Sequence, residues 1–500
     1  MIKLDGQSLT IEQLVQIART HERVSLAAET FHVIRRSRAL VEEKLAAQEV
    51  IYGVDTGFGE LSTVSIPPEK AQGLQLNLIR SHAVGVGSLM PATVVRAMMV
   101  LRVNSLAQGY SGVRRKVLTI LIKFLNHNIL PVVHAKGSLG ASGDLVPLAH
   151  MALALVGEGQ VIYQGKRKSA LTVLKKLNIK PLVLEVKEGL ALINGTQFMT
   201  AIGVLAVYDA YNLVQHADYA AALSGDVLKS SLNHTDPLVH QLRPHAGQIT
   251  SAVLIRRLMK NSEIWASHQS CEKVQDAYSI RCAPQVHGAT RDLIDYVWGV
   301  LEIEMNSVTD NPLIFPEQNK ILSAGNFHGQ PIALSLDFLK IAVSELANIS
   351  ERRISRLVDH KLSECLPPFL TVESGLHSGF MVMQYTAAAL VSENKVLSHP
   401  ASVDSIPTSA GQEDHVSMGA IAALHLQTVI ENTQHVLAIE LLSGAQALDL
   451  HRPLKSSPAL EHLYTAIRAE VPVLRKDRVM NKDIVKVIVL MQSEQLVNNF

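Results

Sequence analysis

Apolar residues recur at three- and four-residue steps along most of the chain, the spacing of one face of an α-helix. The run at 115–130 has this spacing and ends before Pro131, and the run LAHMALALVGEG follows Asp144, a good helix N-cap, and ends at glycine. Longer helices are predicted over 197–224, 333–358, 376–397 and 414–447. The last of these is apolar on nearly every face, as expected of a helix that is buried all round.

Strand patterns are short and few. The segments VIYQGKR, near residue 161, and LIFPEQNKIL, near residue 313, predict β-hairpins because each places residues of high strand propensity around a turn. No repeat, low-complexity tract or Pro/Gly-rich linker interrupts the helical pattern. We therefore predict a mainly α protein with a bundle of long helices at its centre.

Polar, glycine-rich segments separate the predicted helices, and such loops are where binding and catalytic groups commonly lie. These segments are 52–60, 78–87, 138–144, 194–197, 275–288, 306–312, 323–331 and 411–418. The segment 138–144, SLGASGD, places one serine between small residues and needs a chemical explanation.

Composition adds a prediction about assembly. Hydrophobic residues make up 47% of the 500 residues and charged residues only 18%, and the mean hydropathy is +0.18. Much of the chain must then be buried against itself or against copies of itself, so we expect a helical oligomer. The net charge of +1 supplies no basic stripe, which argues against nucleic acid as a partner.

Location is predicted from the cysteines and from the first residues. Three cysteines without a CxxC pair suit a reducing cytosol, and the N-terminal MIKLDGQSLT has charge where a signal peptide needs an apolar core. Residues 189–208 carry no formal charge over about a bilayer's thickness, but polar residues at 194–197 interrupt them. We interpret this stretch as a loop that leads into a buried helix, and predict a cytoplasmic protein with no membrane association.

Ser142 has three possible roles: a turn residue ahead of a helix, a hydrolase nucleophile, or part of a cofactor made from the backbone. A hydrolase elbow needs glycine two places to either side of its serine, on a strand-to-helix turn. Gly140 satisfies this requirement, but Asp144 stands where the second glycine should be, and no convincing strand precedes the loop.

The cofactor interpretation follows from what Ala-Ser-Gly can do. A glycine nitrogen between small side chains can approach the carbonyl carbon two residues back, and its attack there closes a five-membered ring. Loss of one water from the ring and of a second with the serine hydroxyl leaves a conjugated methylidene-imidazolone. This ring is an electrophile that no coded side chain supplies.

The loop GSLGASGDLVPLAH resembles the prosthetic-group loop of the aromatic amino acid ammonia-lyases, which form 4-methylidene-imidazol-5-one (MIO) from Ala-Ser-Gly. Seven further segments resemble family motifs in the family's order, from about residue 50 to 420. They are YGVDTGFG, NLIRSHAVGVG, INGTQ, QDAYSIRCAPQVHGA, SVTDNPLIF, SAGNFHGQPIA and QEDHVSMGA. Within the family the chain is most similar to the members that act on histidine.

The resemblance implies a mainly α fold, a long-helix bundle of the fumarase/aspartase-like type with a mixed N-terminal part that carries the MIO loop. We divide the chain into an N-terminal active-site domain, 1–200, and a domain of central and C-terminal helices, 201–500. The resemblance also implies a homotetramer in which each active site draws loops from more than one subunit.

The implied reaction is elimination of ammonia from L-histidine to give trans-urocanate, the first step of histidine degradation. Ala141, Ser142 and Gly143 would form the MIO, which bonds to the substrate amine. Tyr52 would be the base that removes the β-hydrogen, and Tyr278 would lie near the MIO and the substrate. The alternative for Tyr52 is a tyrosine packed under a loop.

Other motif residues would bind the substrate. Arg281 suits the carboxylate because its planar guanidinium donates two parallel hydrogen bonds. Asn194 and Gln275 carry amides that could hold the MIO oxygen or orient the substrate, and Phe327 would form a wall of the pocket. For each of these residues the alternative is structural: an ion pair, a loop hydrogen bond or core packing.

Specificity for histidine rests on two positions. His82, after Ser81, can hydrogen-bond an imidazole, whereas a leucine there would favour a benzene ring. Glu413 can hold an imidazole N–H that no phenyl ring offers, and a site built to pair such a group rejects analogues without it by orders of magnitude.

Several alternatives remain at this point. A tyrosine or phenylalanine lyase or an aminomutase would keep the MIO and change the substrate, and a helical scaffold would have lost the activity. The fumarase-type lyases are excluded as an alternative because the sequence lacks their GSSxMPxKxNP loop. The sequence shows no HExxH, Cys/His cluster or paired carboxylate motif, so we predict no metal.

Overall fold

The computed structural model describes residues 1–269, 274–493 and 496. Its α-helices are α1 (Ile11–Thr20), α2 (Thr30–Ala46), α3 (Pro68–His82), α4 (Ala92–Ala107), α5 (Arg115–Asn126), α6 (Leu145–Leu155), α7 (Ala170–Lys176), α8 (Glu188–Ile193), α9 (Gln197–Val227), α10 (Pro237–Gln241), α11 (Ala246–Leu258), α12 (Glu263–Ala266), α13 (Tyr278–Arg281), α14 (Ala283–Met305), α15 (Gln330–Val358), α16 (His360–Ser363), α17 (Met381–Leu397), α18 (Gly419–His451), α19 (Pro458–Glu470) and α20 (Asn481–Gln492). Short 3-10 helices cover Gly59–Thr63, Asn233–Thr235, Pro316–Gln318, Pro368–Leu370 and Ser409–Gly411.

The strands are short and form small separate sheets. They are β1 (Ile2–Leu4), β2 (Val24–Leu26), β3 (Val86–Leu89), β4 (Leu130–Pro131), β5 (His134–Lys136), β6 (Gln160–Tyr163), β7 (Lys166–Ser169), β8 (Leu313–Phe315) and β9 (Lys320–Leu322). Strand β1 pairs with β2 in parallel, and the pairs β3–β5, β4–β6, β6–β7 and β8–β9 are antiparallel. The predicted mainly α fold is confirmed, and so are the two predicted hairpins, β6–β7 and β8–β9.

The predicted helices exist, but several boundaries differ for local reasons. Helix α5 ends at Asn126 instead of 130 because Asn128 takes a left-handed conformation and Leu130 pairs with Ile162 in the β4–β6 ladder. Helix α17 begins at Met381 instead of 376 because the preceding glycines at 375 and 379 have φ of +101° and +54°, outside the helical region.

Several helices were not predicted, and the longest of them is α14. Helix α14 begins at Ala283, inside the segment 275–288 that we assigned to a loop because of its glycine, proline and polar residues. Pro284 occupies the first turn of this helix, where a proline costs no intrahelical hydrogen bond, so its presence marks a helix start and not a loop.

The described chain comprises two compact units. The first contains Met1–Tyr208, Trp298–Asp337 and Pro400–Leu424, and the second contains Asp209–Val297, Phe338–His399 and His425–Phe500. All of the strands named above belong to the first unit. The division of the chain into 1–200 and 201–500 stays a prediction.

Helix α4 forms the centre of the first unit. From Val94 to Ala107 every residue is buried, and the helix packs against α1, α2 and α5. This buried face includes two arginines, Arg96 and Arg102, in an otherwise mostly apolar run. A charged side chain is rarely buried in such a helix without a specific partner, so both arginines need an explanation.

In the second unit, the C-terminal half of α18 is almost completely buried and holds an ion pair. The guanidinium of Arg353 and the carboxylate of Glu440 are both fully buried, and Arg353 Nη2 lies 2.9 Å from Glu440 Oε2. Hydroxyl groups of Ser224 and Ser350 also donate to this carboxylate. The buried charges are thus paired and hydrogen-bonded, as a low-dielectric interior requires.

The segment 189–208 contains the end of α8, a break at 194–196 and the beginning of α9. This agrees with the prediction of a loop that leads into a buried helix. Among the described residues, no helix is both long and apolar enough to cross a membrane.

Candidate active site

A cavity of about 930 Å³ lies within the first unit. Its walls come from the turn after α2, the C-terminal end of α3, the loop before α6, the end of α8 and the loops near residues 325 and 412. Seven of the eleven predicted site residues line it: Tyr52, His82, Ala141, Ser142, Asn194, Phe327 and Glu413.

The loop that carries Ser142 crosses the loop after α8 at very short range. Gly143 has φ of +75° and forms a bridge with Gly195, and the N–H of Asp144 donates to the carbonyl oxygen of Gly195 at 2.6 Å. A Cβ atom on Gly143 would lie 2.2 Å from that oxygen. Only glycine fits at position 143, for reasons of both conformation and space.

Asp144 connects this crossing to the start of α9. The sequence predicts it as the N-cap of α6, and it does occupy that position, but its side chain makes no capping hydrogen bond to α6. Its Oδ2 instead accepts the N–H groups of Phe198 and Met199 in the first turn of α9, at 3.0 and 2.9 Å. Complete burial raises the pKa of Asp144 to about 7, partly offset by these N–H donors and by the hydroxyl of Ser138.

Ser142 lies between a carboxylate and an amide. Its Oγ donates to Glu413 Oε1 at 3.1 Å, and its carbonyl oxygen accepts a hydrogen bond from Asn194 Nδ2 at 3.0 Å. Within the described part of the chain its hydroxyl has no hydrogen bond to an imidazole, which a serine hydrolase needs for its base. The geometry therefore offers no support for the hydrolase interpretation.

Two groups that line the cavity, Glu413 and His82, can hydrogen-bond a substrate ring. Glu413 is held by the hydroxyl of Thr408, which donates to Oε2 at 2.9 Å. His82 is the last residue of α3, and its Nδ1 lies 3.0 Å from Ser81 Oγ. Burial lowers the pKa of His82, while a hydrogen bond with the Leu78 backbone and the nearby charge of Glu413 act in the opposite direction.

Tyr52 and Phe327 also face the cavity. The hydroxyl oxygen of Tyr52 accepts the N–H of Gly59 at 3.1 Å. Asp55 stabilises the turn that contains Tyr52, because its Oδ1 accepts the N–H of Ile51 at 2.7 Å. Asp55 thus has a local structural role.

The other four predicted residues do not line the cavity. Gly143 lies directly behind it, at the crossing with Gly195. Gln275, Tyr278 and Arg281 belong to the second unit, where Arg281 donates to Gln275 Oε1 and lies 5.5 Å from the Tyr278 ring centroid. Tyr278 is 73% exposed.

Sequence reasoning missed one group behind the cavity wall. Arg102 of α4 is fully buried and donates to the backbone carbonyl of Asn194 and to Gln197 Oε1. The sequence does contain a signal for this group: Arg102 stands inside the mostly apolar run VVRAMMVLRVNSLA, where a charged residue is unexpected. A local sequence pattern could not identify the partner of Arg102, because Asn194 lies 92 positions further along the chain.

The described residues contain no group of three or more His, Cys, Asp or Glu side chains that could hold a metal ion. The reactive groups that the cavity does offer are a serine between small residues, an amide donor on its carbonyl, a carboxylate, an imidazole and a phenol. They suit proton transfer and covalent chemistry at the Ala-Ser-Gly segment.

Comparisons with known proteins agree with this site. The family model for "Aromatic amino acid lyase" matches residues 9–469. The histidine ammonia-lyase of Koribacter versatilis is 51% identical over 99% of this chain and 98% of its own length. Among solved structures, histidine ammonia-lyase from Trypanosoma cruzi has a TM-score of 0.92 at 43% identity, covering 99% of this chain and 94% of that one. Tyrosine aminomutase from Streptomyces globisporus has a TM-score of 0.93 at 40% identity, covering 99% and 97%.

Proposed function

Because this chain belongs to the aromatic amino acid lyase family, we propose that it eliminates ammonia from L-histidine to give trans-urocanate, the first step of histidine degradation. Family membership confirms the resemblance predicted from the motifs, and with it a carbon–nitrogen lyase. The choice of substrate rests on the position of Glu413. Its carboxylate accepts a hydrogen bond from Ser142 and lies near His82.

We propose that Ala141, Ser142 and Gly143 form an MIO. Gly143 N bonds to the carbonyl carbon of Ala141, and the carbonyl oxygen leaves as water with the amide hydrogens of Ser142 and Gly143. Ser142 then loses its Cα hydrogen and its hydroxyl as a second water. When formed, the ring supplies an electrophilic methylidene carbon for the substrate amine.

The surrounding residues fit this group. The N–H of Gly143 and the carbonyl oxygen of Ala141 have no hydrogen-bond partner in the described part of the chain, so both reacting groups are available. Asn194 Nδ2 already donates to the Ser142 oxygen, which becomes the ring carbonyl, while its own Oδ1 is buried without a partner. A buried polar atom without a partner is costly, and it suggests that the site is completed by another group.

Tyr52 is the proposed base and Phe327 a wall of the pocket. The phenol oxygen of Tyr52 is oriented by the N–H of Gly59 and lies at the cavity surface, where a substrate proton is accessible. Substrate recognition falls to His82 and Glu413, which can bond an imidazole from two sides.

A second candidate keeps the cavity and changes the substrate to tyrosine or phenylalanine. The likeness to tyrosine aminomutase favours it, since that likeness covers almost the whole chain. The test is the ultraviolet spectrum of the reaction mixture, because urocanate and coumarate absorb at different wavelengths. We expect urocanate from L-histidine and little product from L-tyrosine, with Ser142→Ala as the inactive control. Coumarate formed faster than urocanate would favour the second candidate.

We further propose a cytoplasmic homotetramer in which a second subunit supplies Gln275, Tyr278 and Arg281 to each cavity. This is supported by the homotetramer that the family resemblance implies and by the exposure of Tyr278. Arg281 would then bind the substrate carboxylate.

Subunit complementation tests this arrangement. Ser142→Ala and Arg281→Met should each be inactive on their own. Subunits of the two variants that are unfolded and refolded together should regain part of the activity, because some cavities then combine an intact Ser142 from one subunit with an intact Arg281 from another. No regain in mixed tetramers would contradict the sharing of sites.

A further inference from the structure

Arg102 is a buried cation without a direct counter-ion. It lies on α4, is 0% exposed and makes no ion pair with a carboxylate among the residues that the structure describes. Burial lowers its pKa to about 10, with Asp310 acting against this from a distance, so the guanidinium stays protonated at neutral pH. A buried charge of this kind destabilises the fold, and such groups are often retained for function.

Two of the hydrogen bonds that Arg102 donates reach the break between α8 and α9, a third stays within α4, and its Nε is buried without a partner among the described residues. Its Nη1 donates to the carbonyl oxygen of Asn194 and, at 3.1 Å, to Gln197 Oε1, and its Nη2 donates to Ser105 Oγ at 3.3 Å. Gln197 in turn donates to Thr309 Oγ1 at 2.7 Å. The guanidinium therefore fixes both ends of the break between α8 and α9.

This break is the segment that holds the Ala-Ser-Gly loop. Asn194 begins it and donates to the carbonyl oxygen of Ser142. Gly195 follows, bridges to Gly143 and accepts the N–H of Asp144. The position of the Ser142–Gly143 peptide thus depends on the backbone conformation at 194–195. That conformation depends in turn on the hydrogen bond from Arg102 to the carbonyl oxygen of Asn194.

We propose that Arg102 is a positioning residue for the MIO. By binding the carbonyl of Asn194, it holds the Asn194 amide against the Ser142 oxygen and holds Gly195 against Gly143. Ring closure is then faster, and the amide stays in place where negative charge develops on the ring oxygen during the reaction. The inference rests on the proposed function, and it adds a residue that does not touch the cavity.

The same helix offers a matched control. Arg96, six residues earlier, is 1% exposed and also binds backbone carbonyls, those of Ile17 and Leu125 at 3.1 and 3.0 Å. Its other partner is Asn128, so its contacts lie away from the MIO loop. Arg96→Met and Arg102→Met both remove a buried guanidinium from α4, and only the second removes a donor to Asn194.

The test compares Arg102→Met, Arg102→Lys and Arg96→Met with the unaltered chain. Intact mass gives the fraction that has lost two waters, independently of activity, and kcat and KM for L-histidine are measured alongside the melting temperature. We expect Arg102→Met to accumulate uncyclised chain. Its kcat per cyclised site should fall about 10- to 100-fold, the loss typical when a residue that orients a metal ligand is removed, with KM little changed.

Arg102→Lys keeps the charge but lacks the planar fork that reaches both acceptors, so its losses should lie between those of the unaltered chain and Arg102→Met. Arg96→Met should lower the melting temperature while its folded fraction cyclises fully and keeps its kcat. If Arg102→Met does not fold, Arg102→Lys decides the outcome.

The inference is overturned if the folded Arg102 variants cyclise and turn over like the unaltered chain, or lose only what Arg96→Met loses. Failure of the unaltered chain to lose two waters or to make urocanate would instead contradict the proposed function. The two failures are therefore distinguishable.

Discussion

Glu413→Gln tests how the cavity selects its substrate. The glutamine keeps the length and shape of the side chain and can still contact Thr408, so the loop should retain its conformation. The change removes the negative charge and replaces one of the two acceptor oxygens by an NH2 donor. In the structure Oε1 accepts the hydroxyl of Ser142, and that hydroxyl is lost when the ring forms, which leaves Oε1 free to accept an imidazole N–H.

The size of the effect follows from the type of hydrogen bond. A bond to a charged group contributes about 1.5 to 3 kcal/mol, and about 1.4 kcal/mol corresponds to a tenfold change. We therefore expect kcat/KM for L-histidine to fall between about 10- and about 150-fold. L-tyrosine has no imidazole N–H, so its residual kcat/KM should change much less.

The assay follows urocanate and coumarate by absorbance, with each amino acid supplied separately. Asp414→Asn is the control for general loss of negative charge, because Asp414 is the adjacent carboxylate and also lines the cavity. Asp414→Asn should lower kcat/KM for L-histidine less than Glu413→Gln does. Equal proportional losses for the two substrates in Glu413→Gln would refute the assignment of Glu413 to imidazole recognition.

Two further substitutions probe the base and the buried carboxyl. Tyr52→Phe should lose most of kcat while L-histidine still binds, measured by turnover and by equilibrium binding; near-normal turnover would assign the base to another residue. Burial raises the pKa of Asp144 from 3.8 to about 7, so the folded state holds a proton that the unfolded chain has lost, and stability falls as the pH rises between these values. Asp144→Asn cannot ionise, so its melting temperature relative to the unaltered chain should be higher at pH 8 than at pH 5; a difference independent of pH would contradict this explanation.

Periodicity and local motifs were enough to predict much of the fold. The long helices α9, α15 and α18 and the hairpins β6–β7 and β8–β9 follow from apolar spacing and turn residues, which act over a few positions. Helix α14 was missed because its first turn contains proline and its sequence overlaps a motif that we assigned to a loop.

The candidate site was predicted from motifs, but its supporting contacts were not. The bond from Asn194 to Ser142 joins residues 52 positions apart, and the bond from Ser142 to Glu413 joins residues 271 positions apart. Such pairs depend on tertiary packing and have no local signal. For the same reason Asp144 was assigned to the N-cap of α6, although its side chain stabilises the start of α9.

The intact mass of the purified chain tests the central claim most directly. If residues 141–143 cyclise, active protein should weigh two waters less than the mass coded by its sequence, and Ser142→Ala, which has no hydroxyl to lose, should not contain the complete ring. Fully active protein at the coded mass would contradict the account.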